Sequence, residues 1–453
     1  MSRGPDSPQL QAATRRARRA VRREAMREYA SGALWVLPAV AAVIALLAGY
    51  AISRIEVQPG TFLSRLAFHG TADDARTLLT AVSSTVVTVI ALVLGLAVVA
   101  LQLSSTQFSP RLLRNFLRDR TTQVVLSVFI ATFVYSTAGL FTVGFEAETR
   151  ETYPRLAVSG SLLLLFASIG MVVYFADHLV HSIQIDTINR LIERRTRQAI
   201  RRRPHRIEEP APRAPSWAVR LTARRSGYLQ MVHPELLLPL AADAGVTICL
   251  RPRIGQHVVA GTTVGWVWAS TADDPSPAAT QFEDAIDANV RIGFERALEQ
   301  DVAFGIRQQI DIALKALSPA VNDPYTAVQA IDHLTTVCCD LVVRPLGAEV
   351  LTDPSGRGRV IVPGNTFDDY LSFIRSRLAR YGGSDITVMM ALLRLVRSCV
   401  EVVGADAERL ATLDRAATDL LDDAKRTLPR PADLVAYRDA VEGVRTKITR
   451  VAV

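Results

Sequence analysis

Apolar residues gather into four long runs early in the chain and thin into short amphipathic stripes afterwards. The runs are Ser31 to Ile52, Thr77 to Leu103, Gln123 to Phe145 and Leu156 to Ala176. The centre of the first, LWVLPAVAAVIALLAGYAI, carries no charge. At about 1.5 Å per residue such a run crosses a hydrocarbon layer of about 30 Å. Pro38 sits inside it and is tolerable there as a kink. Four runs so close together are not the core of a soluble domain, so the pattern predicts four transmembrane helices.

The pattern changes after the fourth run. A charged helix is predicted through Ile200, with Ile183, Ile188, Leu191 and Ile192 on roughly one side. RRRPHRIEEPAPRAPS then breaks all periodicity and reads as a linker. SWAVRLTARRSGYLQMV reads as strand, turn at Ser226-Gly227, strand, and HPELLLPLAADAG as a short helix ended by Gly245. VTICLRPRIGQHVVAGTTVGWVWAS reads as two or three strands with glycine turns. The Gly255-x-x-Val258-x-x-Gly261 spacing resembles the turns of barrel-sandwich hybrid modules, but the segment has no Lys to carry a cofactor, so a structural β unit is expected. QDVAFGIRQQIDIALKALSPAVNDPYTA is an amphipathic helix, a stop at Ser318-Pro319, and a second helix capped by Asn322 or Asp323 with Pro324 at its first position. A hairpin from Arg344 to Pro363 and four amphipathic helices complete the chain.

The expected fold is therefore an α-helical membrane protein with four transmembrane helices, plus a cytoplasmic α+β domain made of a small β-barrel-like unit and a helical bundle. Its parts are a basic tail (1–30), the membrane domain (31–180), a charged helix and Pro-rich linker (181–215), the β unit (216–272), the SPAVNDP segment (280–345) and the C-terminal hairpin and bundle (346–453).

Charge adds orientation. Arg15, Arg16, Arg18, Arg19, Arg22, Arg23 and Arg27 precede the first run, Arg111, Arg114, Arg118 and Arg120 follow the second, and Arg190, Arg194, Arg195 and Arg197 follow the fourth. The other two loops are mixed or acidic. This alternation is the positive-inside pattern, and it predicts a plasma-membrane protein with both termini cytoplasmic. No cleavable leader is expected. The basic tail reads as a topology signal that also touches anionic lipid headgroups. It lacks the interleaved aromatics of a nucleic-acid binder, so no nucleic-acid partner is expected. The four cysteines, Cys249, Cys338, Cys339 and Cys399, have no metal-ligand spacing and read as free, mostly buried thiols.

Candidate chemistry is sparse. The second run leaves the apolar layer through Gln102, Ser104, Ser105, Thr106 and Gln107, a polar exit before Pro110 and Arg111. Gln102, Ser105, Gln107 and Arg111 are the residues to line the inner mouth of a pore or cavity. The plainer reading is Ser and Thr back-bonding within a helix bundle. His178 and His181 are three apart and share a helix face, with Asp177 and Asp186 nearby, but no nearby Cys or Glu completes a ligand set, and no metal or cofactor is expected.

Three stretches, LQLSSTQFSPRLLRNFLRDR, RRSGYLQ and QDVAFGIRQQIDIALKALSPAVNDPYTA, arrive in order and resemble a bacterial membrane-protein family known as domain of unknown function 2254. Ala320-Val321 departs from the Gly-Ile usual there, which touches only the turn. The resemblance implies four membrane helices and a soluble domain, and it brings no activity or catalytic residues. Asp301, Arg307, Gln308, Asn322 and Asp323 in the third stretch are the candidates for a small-ligand or ion site, against the plainer reading of helix caps and salt bridges. No nucleotide loop, catalytic triad or carboxylate pair is present, and no enzyme is expected. The expected function is a homo-oligomeric channel or transport-related protein with a gating or sensing domain. The alternative is a membrane-anchored sensor or scaffold whose cytoplasmic domain binds a ligand or protein partner.

Overall fold

The computed structural model describes residues 33–55, 65, 67–107, 120–144, 154–182, 184–202, 212–269, 271, 278–356 and 359–452. They form two compact units that divide near Thr187.

The first unit holds four helices long and apolar enough to cross a membrane. They are α1 (Val36–Ser53), α2 (Ala72–Gln107), α3 (Arg120–Gly144) and α4 (Arg155–Ser182). Each covers most or all of an apolar run seen in the sequence. The third span, α3, packs against each of the other three and is the most buried of the four. Half of its apolar window is buried, against 17% for α1 and α2. Its polar residues explain its place. Thr132 and Ser168 share a hydrogen bond of 3.0 Å between α3 and α4, and Ser136 and Ser161 one of 2.6 Å. Away from water such hydroxyls need partners, and a neighbouring helix supplies them. On α2, Ser84 donates to the Ala81 carbonyl and Thr88 to the Ser84 carbonyl, the back-bonding that the plainer reading expects.

The second unit is α/β. α5 (Ile185–Arg201) leads into it. The strands are β1 (Val219–Thr222), β2 (Gly227–Val232), β3 (Val246–Leu250), β4 (His257–Val258), β5 (Thr263–Ala269) and β6 (Val290–Gly293), with α6 (Pro234–Ala244) and α7 (Ala279–Asn289) between them. Next come α8 (Val302–Ala316), α9 (Pro324–Val342), β7 (Glu349–Thr352) and β8 (Arg359–Val362). The chain closes with α10 (Phe367–Gly382), α11 (Ile386–Val402), α12 (Ala407–Thr427) and α13 (Pro431–Ala452).

The strands form two sheets, ordered β1-β5-β3-β8-β7 and β4-β2-β6, with no closed barrel among the described residues. Two strands stand where 216–232 reads as strand, turn, strand. β1 and β2 do not pair with each other: β1 joins β5 in the larger sheet, and β2 lies between β4 and β6 in the smaller. A strand's own apolar pattern carries no information about its partner. The β7–β8 hairpin also enters the larger sheet, because β8 runs parallel to β3 with Ile248 opposite Val360. Leu221, Leu229, Leu237, Ile248, Val267, Phe282 and Val360 fill the core around these strands.

Candidate functional site

The SPAVNDP segment folds as the predicted helical hairpin, α8 followed by α9. Its start is fixed by Asp301, which is 2% exposed. The Asp301 carboxylate accepts from the Phe304 backbone N–H at 3.0 Å and takes both ends of the Arg296 guanidinium, at 2.8 and 2.9 Å. Gly255 stands against this pair at φ +87, where a Cβ would overlap the Asp301 carboxylate. That close approach is the reason for glycine there. Gln300 then copies a strand edge: the Val232 N–H donates to its Oε1 at 3.0 Å and its Nε2 donates to the Val232 carbonyl at 3.2 Å. Gln230 Nε2 donates to the Glu295 carbonyl at 2.5 Å. The chain just after RRSGYLQ thus meets the start of QDVAF where β2 receives α8.

The turn of the hairpin is fixed by Asp323. Its carboxylate accepts from the Thr326 N–H at 3.0 Å and from the Thr326 hydroxyl at 2.6 Å. Those bonds hold its pKa below the usual carboxylate value. Asn322 takes φ +50, the left-handed conformation that Asn tolerates, and is exposed. Asp323→Ala is expected to cost about 1 kcal/mol, the usual loss for an N-cap. Because the folded pKa is lowered, the contribution of Asp323 is present above the ordinary carboxylate pKa and is lost as pH falls through the folded one. Thermal melts of wild type and variant across acidic pH should therefore converge.

The flank of the hairpin receives α5. Arg197 Nε lies 2.6 Å from Asp340 on α9, and His333 Nδ1 lies 2.6 Å from Glu193. The Asp340 hydrogen bond raises the Arg197 pKa, so this cation stays charged. Thr196 is fully buried against Gly305 of α8, where a Cβ would overlap its hydroxyl. Asn189, Ile192, Thr196 and Ala199 form one buried stripe at helical spacing. The Asn189 amide and the Gln308 and Gln309 amides of α8 bury oxygens that have no hydrogen-bond partner in this structure. Buried amides of this kind cost stability, and they mark the α5 and α8 faces as more than apolar packing.

The candidates from the sequence fall in different places. Asp301 starts α8, Arg307 and Gln308 lie one to two turns on, and Asn322 and Asp323 lie beyond its far end. The helix between them has 15 residues, about 22 Å at the usual rise. Arg307 pairs with Asp311 at 4.0 Å. The five do not converge on one cavity. In the spans, Gln102 is exposed near the end of α2, Ser105 and Gln107 occupy its last turns, and Arg111 lies outside the described residues. His181 Nδ1 is 2.8 Å from the Asp177 carbonyl, and no group of three or more His, Cys, Asp or Glu suited to a metal occurs among the described residues. Sequence reasoning missed Glu193, Arg197, His333 and Asp340. Their partners are about 140 positions apart in the chain.

A family model described as Predicted membrane protein (DUF2254) matches residues 31–398. The chain is similar to an uncharacterized protein of Mycobacterium bovis, 43% identical over 391 residues that cover 84% of this chain and 75% of that one. It is equally similar to an uncharacterized protein of Mycobacterium tuberculosis, with the same identity and coverage. No solved structure matches.

Proposed function

The chain belongs to the DUF2254 family of predicted membrane proteins, and on that premise we propose a homo-oligomeric channel or transport-related protein of the plasma membrane whose α/β unit gates or senses. In this reading both termini and the α/β unit are cytoplasmic, as the alternation of basic and non-basic loops suggests. The Arg-rich tail touches anionic headgroups, nucleic acid is not a partner, and no catalysis is assigned.

One observation carries the reading. The helix that follows the fourth span, α5, is tied to the α8–α9 hairpin by two charge contacts of 2.6 Å and by the Thr196–Gly305 approach. A ligand or partner that shifts the hairpin would pull on the segment joined directly to α4. The polar exit of α2 at Gln102 supplies a wet mouth for such a device to act on.

The exposed hairpin tip favours a second reading, the membrane-anchored sensor or scaffold. Tyr325 is 74% and Val321 47% exposed beside Asn322, an apolar point left uncovered among the described residues. Purified protein in planar bilayers separates the two. The channel reading expects unitary currents whose size changes in Gln102→Leu and whose open probability changes in Arg197→Ala. Silence at all voltages and tensions would remove the channel and leave the anchored sensor.

A further inference from the structure

A groove of about 850 Å³ runs between α11 and α13, two C-terminal helices that pack on each other. Its α13 wall extends from Ala440 to Val451, about 16 Å or three turns. Leu393 and Val444 are buried in its floor, beside the half-buried Met390. Arg394 and Arg397 of α11 and Lys447 and Arg450 of α13 line its walls. Within the chain these four cations meet two carboxylates: Arg394 pairs with Asp332, and Arg397 and Lys447 share Glu401. Arg450 is exposed and has no ion partner among the described residues.

Gly443 adds a second, independent observation. It lies on the groove in the interior of α13, where glycine is a poor helix residue. A Cβ there would meet nothing within 4 Å among the described residues, so no contact with them calls for glycine. The missing side chain instead opens the groove wall and lets another helix backbone come close.

We propose that this groove docks an acidic amphipathic helix of a protein partner. The apolar stripe of that helix lies over Leu393 and Val444, its carboxylates face Arg394, Arg397, Lys447 and Arg450, and its backbone closes on Gly443. Three turns of groove match a helix that anchors through one apolar stripe. Cations on both walls fit carboxylates on both flanks of the stripe, whereas a single-headed lipid carries its charge at one end. The apolar floor offers nothing to a polyphosphate backbone. Charge complementarity of this kind steers the encounter and fixes the register.

The full chain in nanodiscs of neutral phosphatidylcholine provides the test, with empty nanodiscs as the blank. The probe is a fluorescein-labelled helix of about 15 residues, with Leu at i, i+4, i+7 and i+11 and Glu on both flanks. A sibling carries Lys in place of every Glu. Fluorescence anisotropy should show saturable binding of the acidic helix, at least ~10-fold tighter than its sibling and weaker as salt is raised. Gly443→Leu should weaken binding at least ~10-fold by filling the groove. Leu is the better helix former, so the melting point of that variant should not fall. Arg450→Glu should weaken binding ~5-fold. Equal binding of the two helices, no binding of the acidic one, or binding that Gly443→Leu leaves unchanged would each overturn the proposal. Displacement of the acidic helix by phosphatidylglycerol vesicles would overturn it in favour of a membrane surface. A wild-type dimer that Gly443→Leu dissociates would overturn it in favour of a second copy of this chain.

Discussion

Replacing Arg409 by Ala is expected to destabilise the α/β unit by about 3 kcal/mol. Arg409 opens α12 but serves a different helix. Arg409 is 8% exposed, and its side chain donates to the carbonyls of Leu341, Val342 and Arg344, the last turn of α9 and the second residue beyond it. Helix C-termini leave carbonyls without partners, and here a buried guanidinium supplies them. Asp406 balances the charge at 3.3 Å. The Ala variant loses these bonds and leaves the carbonyls buried and unpaired, which costs more than losing a surface ion pair. For a unit of this size the loss corresponds to a fall of roughly 6–12 °C in melting point. Arg409→Met keeps the aliphatic stem, so comparing the two melts separates lost packing from lost hydrogen bonds. A drop of less than ~1 kcal/mol in the Ala variant would show that the carbonyls find other partners.

Gly305→Ala should be nearly as damaging, although Ala is usually the better helix residue by about 1 kcal/mol. The new methyl would overlap the Thr196 hydroxyl and come within 2.9 Å of its Cβ and 3.0 Å of its Cγ2. Thr is β-branched and fully buried here, so it cannot swing aside. The helices must separate, and overpacking of this kind costs about 1–3 kcal/mol. The local readout is trypsin cleavage at Arg194 and Arg201 on α5, which should accelerate as α5 lifts from α8. Adding Thr196→Ala removes the hydroxyl and Cγ2 contacts and should recover about 1 kcal/mol of the loss. Full additivity of the two changes would mean that they do not meet.

The four spans were plain in the sequence because each is a long uninterrupted apolar run, and length alone separates a span from a core helix. The hairpin was plain because Asp323-Pro324 is a local signal: the carboxylate caps its own helix three residues on. What the sequence left dark was pairing at a distance. Ser136 and Ser161 look like two isolated polar residues in apolar helices until the spans pack. β1 and β2 follow one another in the chain, and neighbours in sequence often pair, but here each found a strand from elsewhere. The same limit governs the candidate site. Asp301 and Asp323 stand in one motif, where a ligand site and plain helix caps were the two readings, and each caps a different helix: Asp301 starts α8 and Asp323 starts α9. The residues that join α5 to the hairpin are spread over distant segments.

The parallel register of β3 with β8 sets an order on how the protein is made. Thr247 lies opposite Arg359 and Cys249 opposite Ile361. A chain emerging from the ribosome has β3 and β5 ready early, but one edge of β3 stays open until α7, α8, α9 and β7 have been synthesised. Ile248 and Cys249 belong on that edge and are buried in the finished protein. An open apolar edge invites pairing with another chain, and a contact that waits on so long an intervening segment closes slowly. Nascent chains therefore pass through a window of exposure that ends only with β8. Chains terminated before β8 never leave it, which makes them substrates for chaperones and proteases rather than shortened working copies.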